Sequence, residues 1–208
     1  MARYDEMMFT PAVEARQATI GAKGKYASRY RDPGRQRMGP DEMEFLLSRT
    51  TLYIATVSET GWPYIQHRGG PAGWIKQLDD TRIGFADYRG NRQLISAGNL
   101  DGDDRVSLFA MDYARKARLK LQGHASMLAV DEDPALTAQV TVHGQPAPER
   151  VMVIEITAHD WNCPKYITPR FDQAEMTQLV GPELSRLETR IAELEAENAR
   201  LRNQGSSS

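Results

Sequence analysis

Cysteine is almost missing: Cys163 stands alone in 208 residues. An internal disulfide is thereby excluded, and a reducing compartment fits. Histidine is scarce as well. His67, His124, His143 and His159 show neither HxxxH nor HxH spacing, and one cysteine cannot build a thiolate site, so no metal centre is expected. No apolar run approaches the ~20 residues that span a bilayer. The opening MARYDEMMFTPAVEAR carries charge where a signal peptide needs an apolar run, so a soluble cytoplasmic protein is expected. An excess of one charge is lacking too. Lys and Arg number 26 against 28 Asp and Glu, a formal net charge of −2, which argues against a nucleic-acid sheath. There is no GxSxG nucleophile elbow. Asp79 and Asp80, Asp101 with Asp103 and Asp104, and Asp131 through Asp133 fall in turns and read as solvated loop residues. Cys163, between Asn162 and Pro164, reads as a small packing residue rather than a nucleophile.

What is present divides into three parts: an N-terminal arm (1–40), a domain (41–172) and a C-terminal helix (173–204). In the arm, residues 9–20 suit a short helix with Thr10 as N-cap and Pro11 at its first position. The basic, glycine-rich GAKGKYASRYRDPGRQRMGP that follows reads as a surface arm, or as charge lent to an anion. Asp41, with Glu44 three residues on, reads as the start of a second helix. Strand patterns then cover 51–57, 62–68, 82–87, 106–111, 117–128 and 151–157, with helices on Leu94, Ile95, Ala97 and Leu100 and over 134–142. Five or six antiparallel strands with few helices predict a mainly β (α+β) fold and a small closed barrel.

The tail is the most regular stretch. Leu184, Leu187, Ile191, Leu194, Asn198 and Leu201 alternate spacings of three and four, which are heptad a and d positions with Asn198 at a. A short parallel dimeric coil is expected, with Arg190 facing the partner's Glu195, Glu197 facing the partner's Arg202, and Glu183 against Glu188 as the unfavourable pair. Fewer than three heptads make such a coil marginal alone. The alternative is an amphipathic helix docked on its own domain.

The chemistry concentrates between Gly61 and Leu100. There the basic loop Asp87-Tyr88-Arg89-Gly90-Asn91-Arg92-Gln93 feeds a helix N-terminus, a place suited to a phosphate because free N–H groups and the helix dipole both favour an anion. Arg89 and Arg92 can form charge-assisted bonds to it, Asn91 adds an amide, and His67 and Arg68 end the preceding strand as further donors. Trp161 and Tyr166, with Pro164 and Pro169, read as a rigid aromatic segment able to wall a flat ring.

Three separated motifs, GWPYIQHRGGP from Gly61, GFADYRGNRQ from Gly84 and WNCPKYITPRF from Trp161, resemble the pyridoxamine 5′-phosphate oxidase-like family of FMN-binding split β-barrels. The resemblance covers about residues 40–172. It implies an antiparallel split barrel and a homodimer with FMN sites at the subunit interface. It places the phosphate on Arg89, Asn91, Arg92 and Gln93, following Ala86 and Asp87, with Gln66, His67, Arg68 and Gly69 beside the flavin ring and ribityl chain. Arg118 and Gln122 correspond to a strand reaching across from the partner, and Trp161 and Asn162 to a segment closing over the flavin. Gln66-His67-Arg68-Gly69-Gly70 and Trp161-Asn162-Cys163-Pro164 depart from the vitamin B6 oxidases, so another small substrate is expected. An FMN-dependent oxidoreductase is the leading reading. A non-catalytic flavin- or haem-binding module, with His67 or His124 as an axial ligand, and a deazaflavin-dependent reductase are the alternatives.

Overall fold

A computed structural model describes residues 3–25, 38–161 and 164–205. It forms two compact units: Met1–Asp112 with Lys116–Tyr166, and Tyr113–Arg115 with Ile167–Ser208.

In the first unit, α1 (Tyr4–Met8) and α2 (Pro11–Thr19) precede α3 (Pro40–Leu47). Thr10 caps α2, accepting from the Val13 N–H. α3 begins one residue before the predicted Asp41, because Pro40 presets helical φ and has no N–H to lose. Glu42, not Glu44, reaches back to the Gly39 N–H at 3.0 Å.

Seven strands follow: β1 (Thr51–Val57), β2 (Pro63–Gly69), β3 (Lys76–Gln77), β4 (Arg82–Asp87), β5 (Arg105–Asp112), β6 (Ala117–Ala129) and β7 (Arg150–Trp161). Every paired neighbour is antiparallel, in the order β2-β1-β5-β6-β7-β4-β3. The ladder does not close, so the expected closed barrel is a split one. β3 is too short to show a period in the sequence. β7 runs four residues beyond the predicted strand, since polar His159 and Asp160 are buried there and disguise the pattern. A bulge at Gln122/Gly123 lets β6 follow this longer partner.

Alternation fills the core. Leu52 and Ile54, Leu108 and Ala110, Leu119 and Leu121, and Ile154 and Ile156 point inward and are buried, joined by Leu46 of α3. Each of the leucines and isoleucines contributes roughly 1.5–3 kcal/mol through burial. β4 is buried on both faces because α5 (Pro134–Val140) covers its far side, with Val140 packing near Ala86 and Val151.

Between β4 and β5 lies α4 (Ile95–Gly102), whose buried residues are Ser96 and Asn99. The predicted apolar face is partly turned out: Leu94 and Ile95 are exposed. Hydrogen bonds replace apolar packing here, Asn99 donating to the buried Thr56 hydroxyl at 2.8 Å. The second unit is dominated by α6 (Gln173–Gly205). Among the described residues no helix is long and apolar enough to cross a membrane.

Candidate functional site

β2 shows its faces in strict alternation. Tyr64, Gln66 and Arg68 are half-buried and line one pocket, whereas Ile65 and His67 point the other way and are exposed. At the far side of the pocket β4 ends in Asp87, which is almost wholly buried. Arg68 Nη1 lies 2.5 Å from Asp87 Oδ1, and Arg150 gives Asp87 Oδ2 two bonds from Nε and Nη2, at 2.9 and 2.7 Å. A buried carboxylate is tolerated only when charge and hydrogen bonds offset its lost hydration, and two guanidiniums do so here. Arg68 Nε is buried and, among the described residues, has no hydrogen-bond partner, a donor left over at the pocket.

The loop after β4 is bent into unusual backbone. Arg92 and Leu94 both have positive φ, 60° and 53°, a conformation that costs energy in residues other than glycine and is found preferentially where function requires it. The Asn91 side-chain oxygen accepts the Gln93 N–H at 3.1 Å, so what Asn91 keeps for a ligand is its NH2. Among the described residues no side chain caps α4, and its first residues, Ile95 to Ala97, line the pocket. Ser96 donates to the Gln66 side-chain oxygen at 2.7 Å, fixing the helix start against β2.

Arg92 Nη2 pairs with Glu149 Oε1 at 2.9 Å, and this bond lowers the Glu149 pKa below its ordinary value. The pocket's charged lining is thus Arg68, Arg92 and Arg150 against Asp87, whereas Arg89 does not line it and acts electrostatically on Glu149. Three guanidiniums against one carboxylate leave the lining two positive charges, which suits a phosphate near its dianion. The cavity measures about 230 Å³.

The remaining predicted residues lie elsewhere. Ala86 is buried in β4, in the apolar cluster with Val140 and Val151. Gly69 ends β2, where a Cβ would sit 3.1 Å from the Thr50 carbonyl oxygen. His67, Arg118 and Gln122 share the outer sheet face. There His67 meets Tyr53 edge-on at 5.7 Å, Arg118 lies 5.1 Å from the Phe109 ring centroid, and Gln122 accepts the Ser107 hydroxyl at 2.6 Å. Arg118 Nε is buried and has no hydrogen-bond partner among the described residues. Trp161 occupies the opposite end of β7 from Arg150. Its indole donates to Glu42 at 2.7 Å and packs edge-on against Phe45, while Tyr166 is fully exposed. Asn162 and Cys163 lie outside the described residues.

Tyr64, Ser96, Glu149 and Arg150 do not stand out in the sequence. Extending the period of two back from Arg68 and Gln66 finds Tyr64. Arg150 emerges only from register, since it sits directly across from Asp87. A larger groove, about 880 Å³, runs between α3 and the β3–β4 turn, but Glu44 and Asp80 are its charged lining residues and among the described residues no cation lines it. It does not suit an anion.

The sequence model of the family described as pyridoxamine 5′-phosphate oxidase matches residues 38–163, more than half of the chain. No curated protein sequence matches. Among solved structures, HupZ of Group A Streptococcus is 16% identical, over 64% of this chain and 100% of that one, with a TM-score of 0.49. A Clostridium acetobutylicum protein related to general stress protein 26, of the pyridoxinephosphate oxidase family, is 17% identical over 59% and 85%, at 0.43. An F420 reductase is 20% identical over 56% and 94%, at 0.39. The family match spans α3 to the end of β7, the whole framework that brings Arg68, Asp87 and Arg150 together, and on it the chain belongs to the pyridoxamine 5′-phosphate oxidase family.

Proposed function

We propose that this chain is an FMN-dependent oxidoreductase acting on a small organic substrate other than pyridoxamine phosphate, and that it works as a homodimer with FMN at the subunit interface. One observation carries the reading: a loop with strained backbone, a helix N-terminus without a side-chain cap and a half-buried Arg68 whose buried Nε–H has no partner among the described residues converge on one pocket with two net positive charges. These groups fit the phosphate end of a flavin nucleotide.

In this reading the α4 amides, Asn91 and Arg92 hold the phosphate, and Arg89, outside the lining, adds positive charge to the loop. Gln66 and Arg68 order the chain beyond it, and Asp87 holds Arg68 in place. FMN, when bound, supplies the redox chemistry. The protein's part is to bind, orient and stabilise negative charge. Among the described residues no carboxylate at this pocket is free to act as a base, since Asp87 is engaged by Arg68 and Arg150 and Glu149 by Arg92.

The dimer draws support from size and facing. A site of about 230 Å³ is smaller than the roughly 300–1,000 Å³ of small-molecule pockets. His67, Arg118 and Gln122 face away from it, and across a two-fold they complete a partner's site rather than their own. Titrating the purified protein with FMN tests the reading. Visible flavin absorption and a change in FMN fluorescence are expected; a colourless protein that leaves the fluorescence unchanged overturns it, and a haem spectrum favours the non-catalytic haem-binding alternative.

A further inference from the structure

In α6, every residue from 182 to 204 is exposed, including Leu184, Leu187, Ile191, Leu194 and Leu201. Five large aliphatic side chains in one a/d stripe are far more than scattered surface apolar residues explain. The other faces are charged and partly self-satisfied, with Arg186 bridging Glu183 and Arg190 bridging Glu193.

We infer that this stripe binds a second copy of the same helix as a parallel two-stranded coiled coil beginning just after Pro182. The occupant follows from composition and charge. Ile191 at a with Leu187, Leu194 and Leu201 at d favours two strands, and Asn198 at a favours its own counterpart in parallel register. Arg190 and Glu195, and Glu197 and Arg202, are complementary across such a pair. The one repulsive pairing, Glu183 with Glu188, is blunted within each helix. Arg186 grips both Glu183 carboxylate oxygens, at 2.9 and 2.6 Å. Asn198 now donates to the Leu194 carbonyl of its own turn at 3.0 Å, a bond it exchanges for its counterpart when the helices meet. Pro182 sets the start, because its ring removes an N–H and crowds the preceding turn.

Oxidative cross-linking of the full-length protein, with Cys163 replaced by Ser, tests this. Asn198→Cys brings two thiols together only in a parallel, in-register pair, since a disulfide needs Cα atoms within about 7 Å. Ala192→Cys, at an outward b position, is the comparison. Rapid formation of a covalent dimer by Asn198→Cys and none by Ala192→Cys is expected. Equal cross-linking of both, or of neither, overturns the proposal, and helical far-UV circular dichroism of each variant shows that the helix is intact. A helix docked on its own domain gives no cross-link, and an antiparallel pair leaves the two substituted positions too far apart. The readout does not involve the barrel's ligand, so it stands or falls separately from FMN binding.

Discussion

Arg68 and Asp87 sit on strands separated by four others in the sheet, yet their Nη1 and Oδ1 atoms are 2.5 Å apart. The open sheet rolls until β2 meets β4, and an ion pair joins them where a closed barrel would have a ladder. The candidate pocket opens at that seam.

Asp87→Asn keeps the shape and removes the charge that holds Arg68 and Arg150. Leaving two guanidiniums without their buried partner is expected to cost about 3 kcal/mol of stability. Urea unfolding followed by circular dichroism measures it; an unchanged midpoint would show that the seam contributes nothing.

Arg92 and Glu149 make opposite predictions for the anion site. Arg92→Ala is expected to weaken FMN binding by about 1.5–3 kcal/mol, the value of a charge-assisted contact. Glu149→Gln frees Arg92 and removes a negative charge from the rim, so binding should tighten. Fluorescence titration of both variants decides, and a looser Glu149→Gln contradicts the placement of the phosphate.

At the β6 bulge, a Cβ on Gly123 would lie 2.3 Å from the Glu155 carbonyl oxygen. That oxygen is backbone in a central strand and cannot swing aside. Gly123→Ala should therefore destabilise the barrel by about 1–3 kcal/mol, read as a lower thermal midpoint.

Acid should weaken the fold in two stages. Burial lowers the His159 pKa below 6.5, partly opposed by Glu42 and Asp160. The unfolded chain then takes up this proton more readily than the folded one, so stability falls as pH drops through and below about 6.5. Burial raises the Glu42 carboxyl, but the Trp161 indole and the Gly39 N–H outweigh it and the net shift is downward. That contribution is present above the ordinary carboxylate range and lost at lower pH. Thermal melts across pH should show His159→Phe flattening the upper stage and Trp161→Phe weakening the lower one.

Period alone discloses the strands and the tail helix, because alternation along 117–128 and the three–four spacing after Leu184 are local properties that survive any fold. The loop from Asp87 to Gln93 stands out for the same reason: its residue types suit an anion wherever the chain places them. Which of these side chains meet is not a local property. Adjacent His67 and Arg68 read as two donors to one site, and the pleat sends them to opposite faces. Ser96 and Asn99, polar and inconspicuous, anchor α4 because Gln66 and Thr56 lie beneath them. Trp161 ends a strand against Phe45 and Glu42 because buried His159 and Asp160 carry β7 four residues further than hydropathy indicates. Neighbours along the chain dictate the kinds of element and the charge of the loop. That Asp87 holds Arg68 and Arg150 belongs to the assembled fold, because the contact depends on how far a seven-stranded sheet rolls before β2 reaches β4.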